Sequence, residues 1–118
     1  MTERLMNAHG YHRYEISNYA RPGYECRHNV RYWRRSPYIG FGIGAASFFD
    51  ETRWSNTRDL QRYLSGSGSL SDIREEIQHL SVREQMEEFM FLGLRMMEGV
   101  SCADFAEKFG CELDSVYS

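Results

Sequence analysis

The chain has 118 residues, of which 42% are hydrophobic, 26% charged and 14% aromatic, and its formal net charge is −3. That is room for one modest domain or parts of two, with rings enough for a core and no apolar run of the roughly 18–20 residues that a membrane-spanning helix needs. Three irregularly spaced cysteines make no disulfide framework and fit a reducing cytosol, and the polar start MTERLMNAHG does not read as a signal peptide.

Met1 to His9 reads as the end of a helix stopped by Gly10, and its uncapped start suggests a chain that continues upstream. Tyr11–Ser17 reads as a strand and Arg21-Pro22-Gly23 as a turn. Arg27 to Trp33 fits an extended segment or a short helix equally, and Arg34–Pro37 breaks it. Tyr38–Phe49 is apolar and rich in glycine, Asp50-Glu51 is a hairpin tip, and Thr52–Ser55 is its return strand. Asn56 or Thr57 is expected to cap a short helix ending near Leu64. Ser65–Ser69 reads as a flexible link. It separates a basic part, ten arginines against six carboxylates in residues 1–70 (+4), from an acidic one, four basic residues against eleven acidic in 71–118 (−7).

The second part reads as helical throughout. Ile73, Ile77 and Leu80 fall at i, i+4 and i+7. Ser81 with Glu84 is a capping box that opens a helix expected to run to Gly99, with Met86, Phe89, Met90, Gly93, Leu94 and Met97 along one face and Phe91, Leu92 and Met96 widening it, so that burial on most sides is expected. Ser101 with Asp104 resembles a second box, after which Phe105, Ala106 and Phe109 face inward until Gly110. Cys111–Ser118 opens a last helix.

Several chemistries are set aside. Gly40-x-Gly42-x-x-Ala45 meets the loosest form of a dinucleotide fingerprint, but Phe48-Phe49-Asp50 follows in place of an amphipathic helix. Those glycines suit close approach by another backbone or by a flat ligand, and plain distortion of a strand accounts for them as well. The helices after Ser101 lack the basic residues a nucleic-acid reader needs, so no nucleic-acid partner is expected. Cys26-x-His28 is a poor metal pair, and Cys102 and Cys111 are too far apart for a local zinc clip. One dense stretch remains, ECRHNVRYW at 25–33. His28 offers a nitrogen lone pair to iron, Tyr32 and Trp33 offer flat faces, and Arg27, Arg31, Arg34 and Arg35 suit carboxylates. From the residues alone, a structural loop with a hydrogen-bonded histidine and solvated arginines accounts for it as well.

Three strings carry a resemblance: YEISNYARPG at 14–23, CRHNVRYW at 26–33 and YIGFGIGAAS at 38–47. Read as YEISNxAxPG, HNxxYW and GxGxxAxS, in order and at the expected spacing, they resemble the family of oxygen-independent coproporphyrinogen III oxidase and its haem-chaperone relatives of the HemW type. HNxxYW is characteristic of the chaperone-like branch, and EEFMFLGLR at 87–95 resembles the start of the family's C-terminal helical domain.

The resemblance implies a radical S-adenosylmethionine protein whose CxxxCxxC motif holds a 4Fe–4S cluster in a partial β/α barrel. Cys26, Cys102 and Cys111 fit no part of that motif, so cluster and S-adenosylmethionine are expected only in a longer protein, and this chain alone should be inactive. The implied fold is α+β. Residues 1–64 would end the barrel, and residues 70–118 would belong to a helical, winged-helix-like C-terminal domain, with the chain cut at both ends. His28, Asn29, Tyr32 and Trp33 match the haem-associated motif, with His28 as axial ligand. Gly42, Gly44, Ala46 and Ser47 match the segment lining the cofactor chamber. A role for Arg31 and Arg34 in holding haem propionates is an added expectation that the motif does not contain. Haem delivery to an acceptor haemoprotein in the cytoplasm is the function expected. Oxidative decarboxylation of coproporphyrinogen III is the alternative, and a ligand-free protein-interaction module is a third. Exposed edges and apolar surface lead to an expectation of self-association.

Overall fold

The computed structural model describes residues 1–66 and 68–117. Ser67, in the expected link, and Ser118, at the end of the expected last helix, lie outside the described residues. The architecture is α+β, and its contacts gather into two compact units, residues 1–36 with 86–118 and residues 37–85.

The first unit opens with helix α1 (Thr2–Ala8), closed at His9 and Gly10 by N–H bonds back to the carbonyls of Met6 and Asn7. The strand expected over Tyr11–Ser17 is shorter. Strand β1 (His12–Arg13) pairs antiparallel with β2 (Tyr19–Ala20), and the residues between them form a tight loop. Glu15 sets that loop: its Oε1 accepts from the Ser17 N–H at 3.0 Å and from Asn18 Nδ2 at 2.5 Å. A side chain offering the backbone a local partner in this way competes with a continuing strand. The Arg21-Pro22-Gly23 turn forms, with the Tyr24 N–H donating to the Arg21 carbonyl at 2.9 Å.

The segment the sequence left open is helical, α2 (Arg27–Trp33), and it stops where Arg35 turns to a φ of 55° two residues before Pro37. Helix α4 (Val82–Gly93) differs from expectation in length and burial: it stops at Gly93, and none of its residues is buried. It ends early because the next residues pair with the Glu15 loop. Ile16 donates to the Arg95 carbonyl at 2.9 Å and Met97 to the Tyr14 carbonyl at 3.1 Å, and neither bond fits a continuing helix. Helices α5 (Cys102–Phe109) and α6 (Leu113–Val116) follow. Ser101 caps α5 by accepting from the Asp104 N–H. Phe105 is wholly buried among the rings of Phe89, Phe109 and Tyr117.

The second unit is built on a three-stranded antiparallel sheet in the order β3–β4–β5. Strands β3 (Ala46–Phe49) and β4 (Thr52–Asn56) form the expected hairpin. Its tip residues Asp50 and Glu51 both have positive φ, 49° and 53°, as a two-residue turn that follows the sheet's twist requires. The third strand, β5 (Arg74–His79), overturns the helical reading of residues 73–80. Ile73, Ile77 and Leu80 do have helical spacing, but a 3-10 turn over Leu70–Ile73 ends there, and the backbone groups that follow pair with β4. A distant partner strand outweighs local periodicity here. Helix α3 (Leu60–Ser65) is capped by Asp59, whose carboxylate accepts from the Gln61 and Arg62 N–H groups, and not by Asn56 or Thr57. Both of those are buried beside the sheet: Asn56 is its last β4 residue, and Thr57 donates its N–H to the Ile73 carbonyl.

Candidate functional site

Each unit holds part of the sequence-derived site. In the first, Tyr14 places the start of α2: its buried phenol oxygen accepts the Cys26 N–H at 3.3 Å. On the helix, His28 and Tyr32 are four residues apart and meet edge to face, with ring centroids 4.8 Å apart. His28 is exposed, Asn29 and Tyr32 are half-buried, and the imidazole makes no other side-chain bond among the described residues. A solvent-facing, unengaged imidazole nitrogen beside an aromatic edge fits a single axial ligand for a haem iron.

Trp33 does not share that face. Five residues after His28 it is turned by about 140° around the helix axis. The Arg95 guanidinium stacks on its indole at 4.2 Å, and its Nε1–H is buried without a hydrogen-bond partner among the described residues. Beneath this stack the fully buried Glu15 places Oε2 3.8 Å from Arg95. Trp33 also lines a cavity of about 480 Å³ with Phe89, Gly93, Met96 and Val100, and His28 is not on its wall.

The arginines separate in the same way. Arg34 is ion-paired with Glu98 at 2.5 Å, and the buried Arg35 with Glu88 at 3.2 Å. Arg27 and Arg31 make no side-chain hydrogen bond or ion pair among the described residues. With Val30 they line a second cleft, of about 650 Å³, on another side of α2. Once the helix is known, Arg27, Val30, Arg31 and Arg34 at i, i+3, i+4 and i+7 are visible as one face. The sequence had left helix and extended chain equally open, which hid it.

In the second unit the glycine segment folds upon itself. Gly40 donates its N–H to the Oγ of buried Ser47 at 2.9 Å, and Asn56 Nδ2 donates to the Gly42 carbonyl at 2.8 Å. A Cβ on Gly40 would lie 2.3 Å from the Ala46 carbonyl oxygen. Close approach by another stretch of backbone, one of the uses expected for these glycines, is thus seen at Gly40. Gly42 and Gly44 take φ of 100° and 69°, Ala46 is exposed, and the loop turns Ile39, Phe41 and Ile43 outward. Asn56, absent from the sequence-derived site, clamps this loop; at the end of the polar return strand TRWSN it carried no signal of that role in the sequence.

Residues 80–118 match the family model for the HemN C-terminal domain. Over 112 residues the chain is 42% identical to a protein named heme chaperone HemW from Bacillus subtilis, a match covering 95% of this chain and 30% of that protein. The chain is a relative of HemW. Proteins of the same name from Lactococcus lactis and Escherichia coli are 38% and 34% identical, over 96% and 92% of this chain and 29% of each relative. This chain thus spans under a third of the length of the HemW proteins it matches. Among solved structures it resembles coproporphyrinogen III oxidase (HemN) from Escherichia coli, described as a radical SAM enzyme. The TM-score is 0.67 and the identity 14%, over 93% of this chain and 28% of that one, which shows a common fold. Among the described residues no helix is long and apolar enough to cross a membrane.

Proposed function

We propose that this chain is the haem-contacting portion of a cytoplasmic, radical S-adenosylmethionine-type protein that carries haem and passes it to acceptor haemoproteins. The observation that carries this reading is the exposed, unengaged His28 imidazole against the edge of Tyr32, within a chain whose HemW relatives are named heme chaperones. His28 supplies the axial nitrogen, Tyr32 the flat contact, and Asn29 lies beside them on the same helix. Trp33 belongs to the support of the helix: its stack with Arg95 and the buried Glu15 hold α2 in place.

In this reading residues 1–64 end the barrel and residues 70–118 belong to the C-terminal helical domain. Gly42, Gly44, Ala46 and Ser47 form a wall of the chamber for S-adenosylmethionine. The three cysteines do not fit the cluster-binding motif, so no step of cluster chemistry is assigned to this chain.

The test is a haem titration of the chain. A Soret band that shifts on binding, and whose shift is lost in His28→Ala but kept in Asn29→Ala, supports the reading. A band that is the same in wild type and His28→Ala overturns it. The likeness of fold to the oxidase favours a second reading, decarboxylation of coproporphyrinogen III by a longer protein containing this segment. Turnover of that substrate with reductant and S-adenosylmethionine, and no haem transfer, would establish it. Ile39, Phe41 and Ile43, exposed together on one loop, also lead us to propose that the chain self-associates at high concentration. Light scattering that returns a monomer at every concentration refutes this.

A further inference from the structure

We infer that the cleft beside α2 is an anion site that takes the carboxylate end of a largely apolar ligand, with Arg27 and Arg31 as its recognition pair. The cleft of about 650 Å³ lies within the first unit and joins two kinds of surface. Its apolar part includes Val30, Met96 and Met97. Methionine is unbranched and polarisable, and it adapts to flat or irregular apolar partners. Its charged part holds four arginines against two glutamates, a formal +2 with His12 neutral.

Those charges are not equivalent. Glu98 holds Arg34 at 2.5 Å, and Arg13 donates its Nε to the Ile16 carbonyl at 3.0 Å. Glu25 pairs with His12 at 3.1 Å. The surplus rests on Arg27 and Arg31, which have no side-chain hydrogen bond or ion pair among the described residues. Four residues apart, their Cα atoms are separated by about 6 Å along the helix. Two planar guanidinium groups at that separation can each grip one carboxylate, or share one, in bidentate fashion. The expectation that Arg31 and Arg34 bind the acid groups is thereby revised to Arg27 and Arg31, since Arg34 already has an acid.

For the identity of its ligand this inference rests on the haem reading, because a haem joins a flat apolar body to two propionates. The chemistry of the cleft asks only for the apolar body and the carboxylates, without the iron. The deciding probes are therefore metal-free protoporphyrin IX and its dimethyl ester, titrated against the chain by fluorescence anisotropy. The free acid should bind at least about tenfold more tightly than the ester, as expected for a charge-assisted hydrogen bond lost with the charge. Arg27→Gln/Arg31→Gln, checked for retained helix by circular dichroism, should bring the acid down to the affinity of the ester. Arg4→Gln, on α1 and outside the cleft, should leave both affinities unchanged.

Equal binding of acid and ester overturns the inference, as does an unaltered double variant or a failure to bind either porphyrin. If the arginine dependence is present and haem gives no His28-dependent Soret shift, the iron-ligation reading fails and the anion site stands. If the Soret shift depends on His28 and the acid and ester bind alike, the reverse holds.

Discussion

Replacing Gly40 by alanine tests whether the glycine loop is held as described. The added Cβ would sit 2.3 Å from the Ala46 carbonyl oxygen and 2.9 Å from the Ala45 Cβ. The second distance is well inside the roughly 3.5–4.0 Å optimum for non-bonded carbons. Neither neighbour is the flexible end of a long side chain: one is strand backbone, and the other is fixed directly to it. The loop or strand β3 must therefore shift, and the Gly40 N–H then leaves the hydroxyl of buried Ser47. Overpacking of this kind costs about 1–3 kcal/mol, and the hydrogen bond adds about 1 kcal/mol. The expected loss is on the order of 2–4 kcal/mol, a fall in Tm of roughly 10–20 °C for a domain of this size. Thermal unfolding followed by circular dichroism measures it. Gly42→Ala is the control, since its φ of 100° strains the backbone but nothing lies within 4 Å of its Cβ, and it should lose only about 1 kcal/mol. A Gly40→Ala protein within about 0.5 kcal/mol of wild type, or more stable than Gly42→Ala, refutes the reasoning.

Other changes give separate checks. Glu15→Ala removes the acceptor for Ser17 and Asn18 and the carboxylate facing Arg95, and should cost about 3 kcal/mol in urea unfolding. Glu15→Gln keeps the acceptor and should cost about half as much. Phe105→Ala, at a position with no exposed surface, should lose about 3–5 kcal/mol and unfold the aromatic cluster first, read from near-ultraviolet dichroism. Ser101→Ala and Asp59→Ala each delete a helix cap and should lose about 1 kcal/mol, with Ser101→Asp restoring stability at the first site.

Features governed by neighbours in sequence were legible. The stop at Gly10, the Asp50-Glu51 tip, the box at Ser81, the cap at Ser101 and the inward face of Phe105 and Phe109 all stand where residue chemistry put them. What was missed depends on partners far along the chain. Residues 74–79 became a strand because β4 offered them a ladder, and α4 stopped at Gly93 because Tyr14 and Ile16 claimed the backbone after it. The site was legible in composition more than in arrangement. His28 and Tyr32 do share a helix face, but Trp33 lies on another. Which arginines remain available is decided by Glu98 and Glu88, more than fifty positions away.

The first unit draws on both ends of the chain, residues 1–36 and 86–118, and residues 37–85 form the other unit without a break. During synthesis the N-terminal piece emerges with its partner still untranslated, because the bond from Met97 to Tyr14 joins residues 83 positions apart. The continuous unit has all its strand partners within one stretch, whereas the segment from Arg27 to Arg35 gains Glu88, Arg95 and Glu98 as partners only once those later residues have been made.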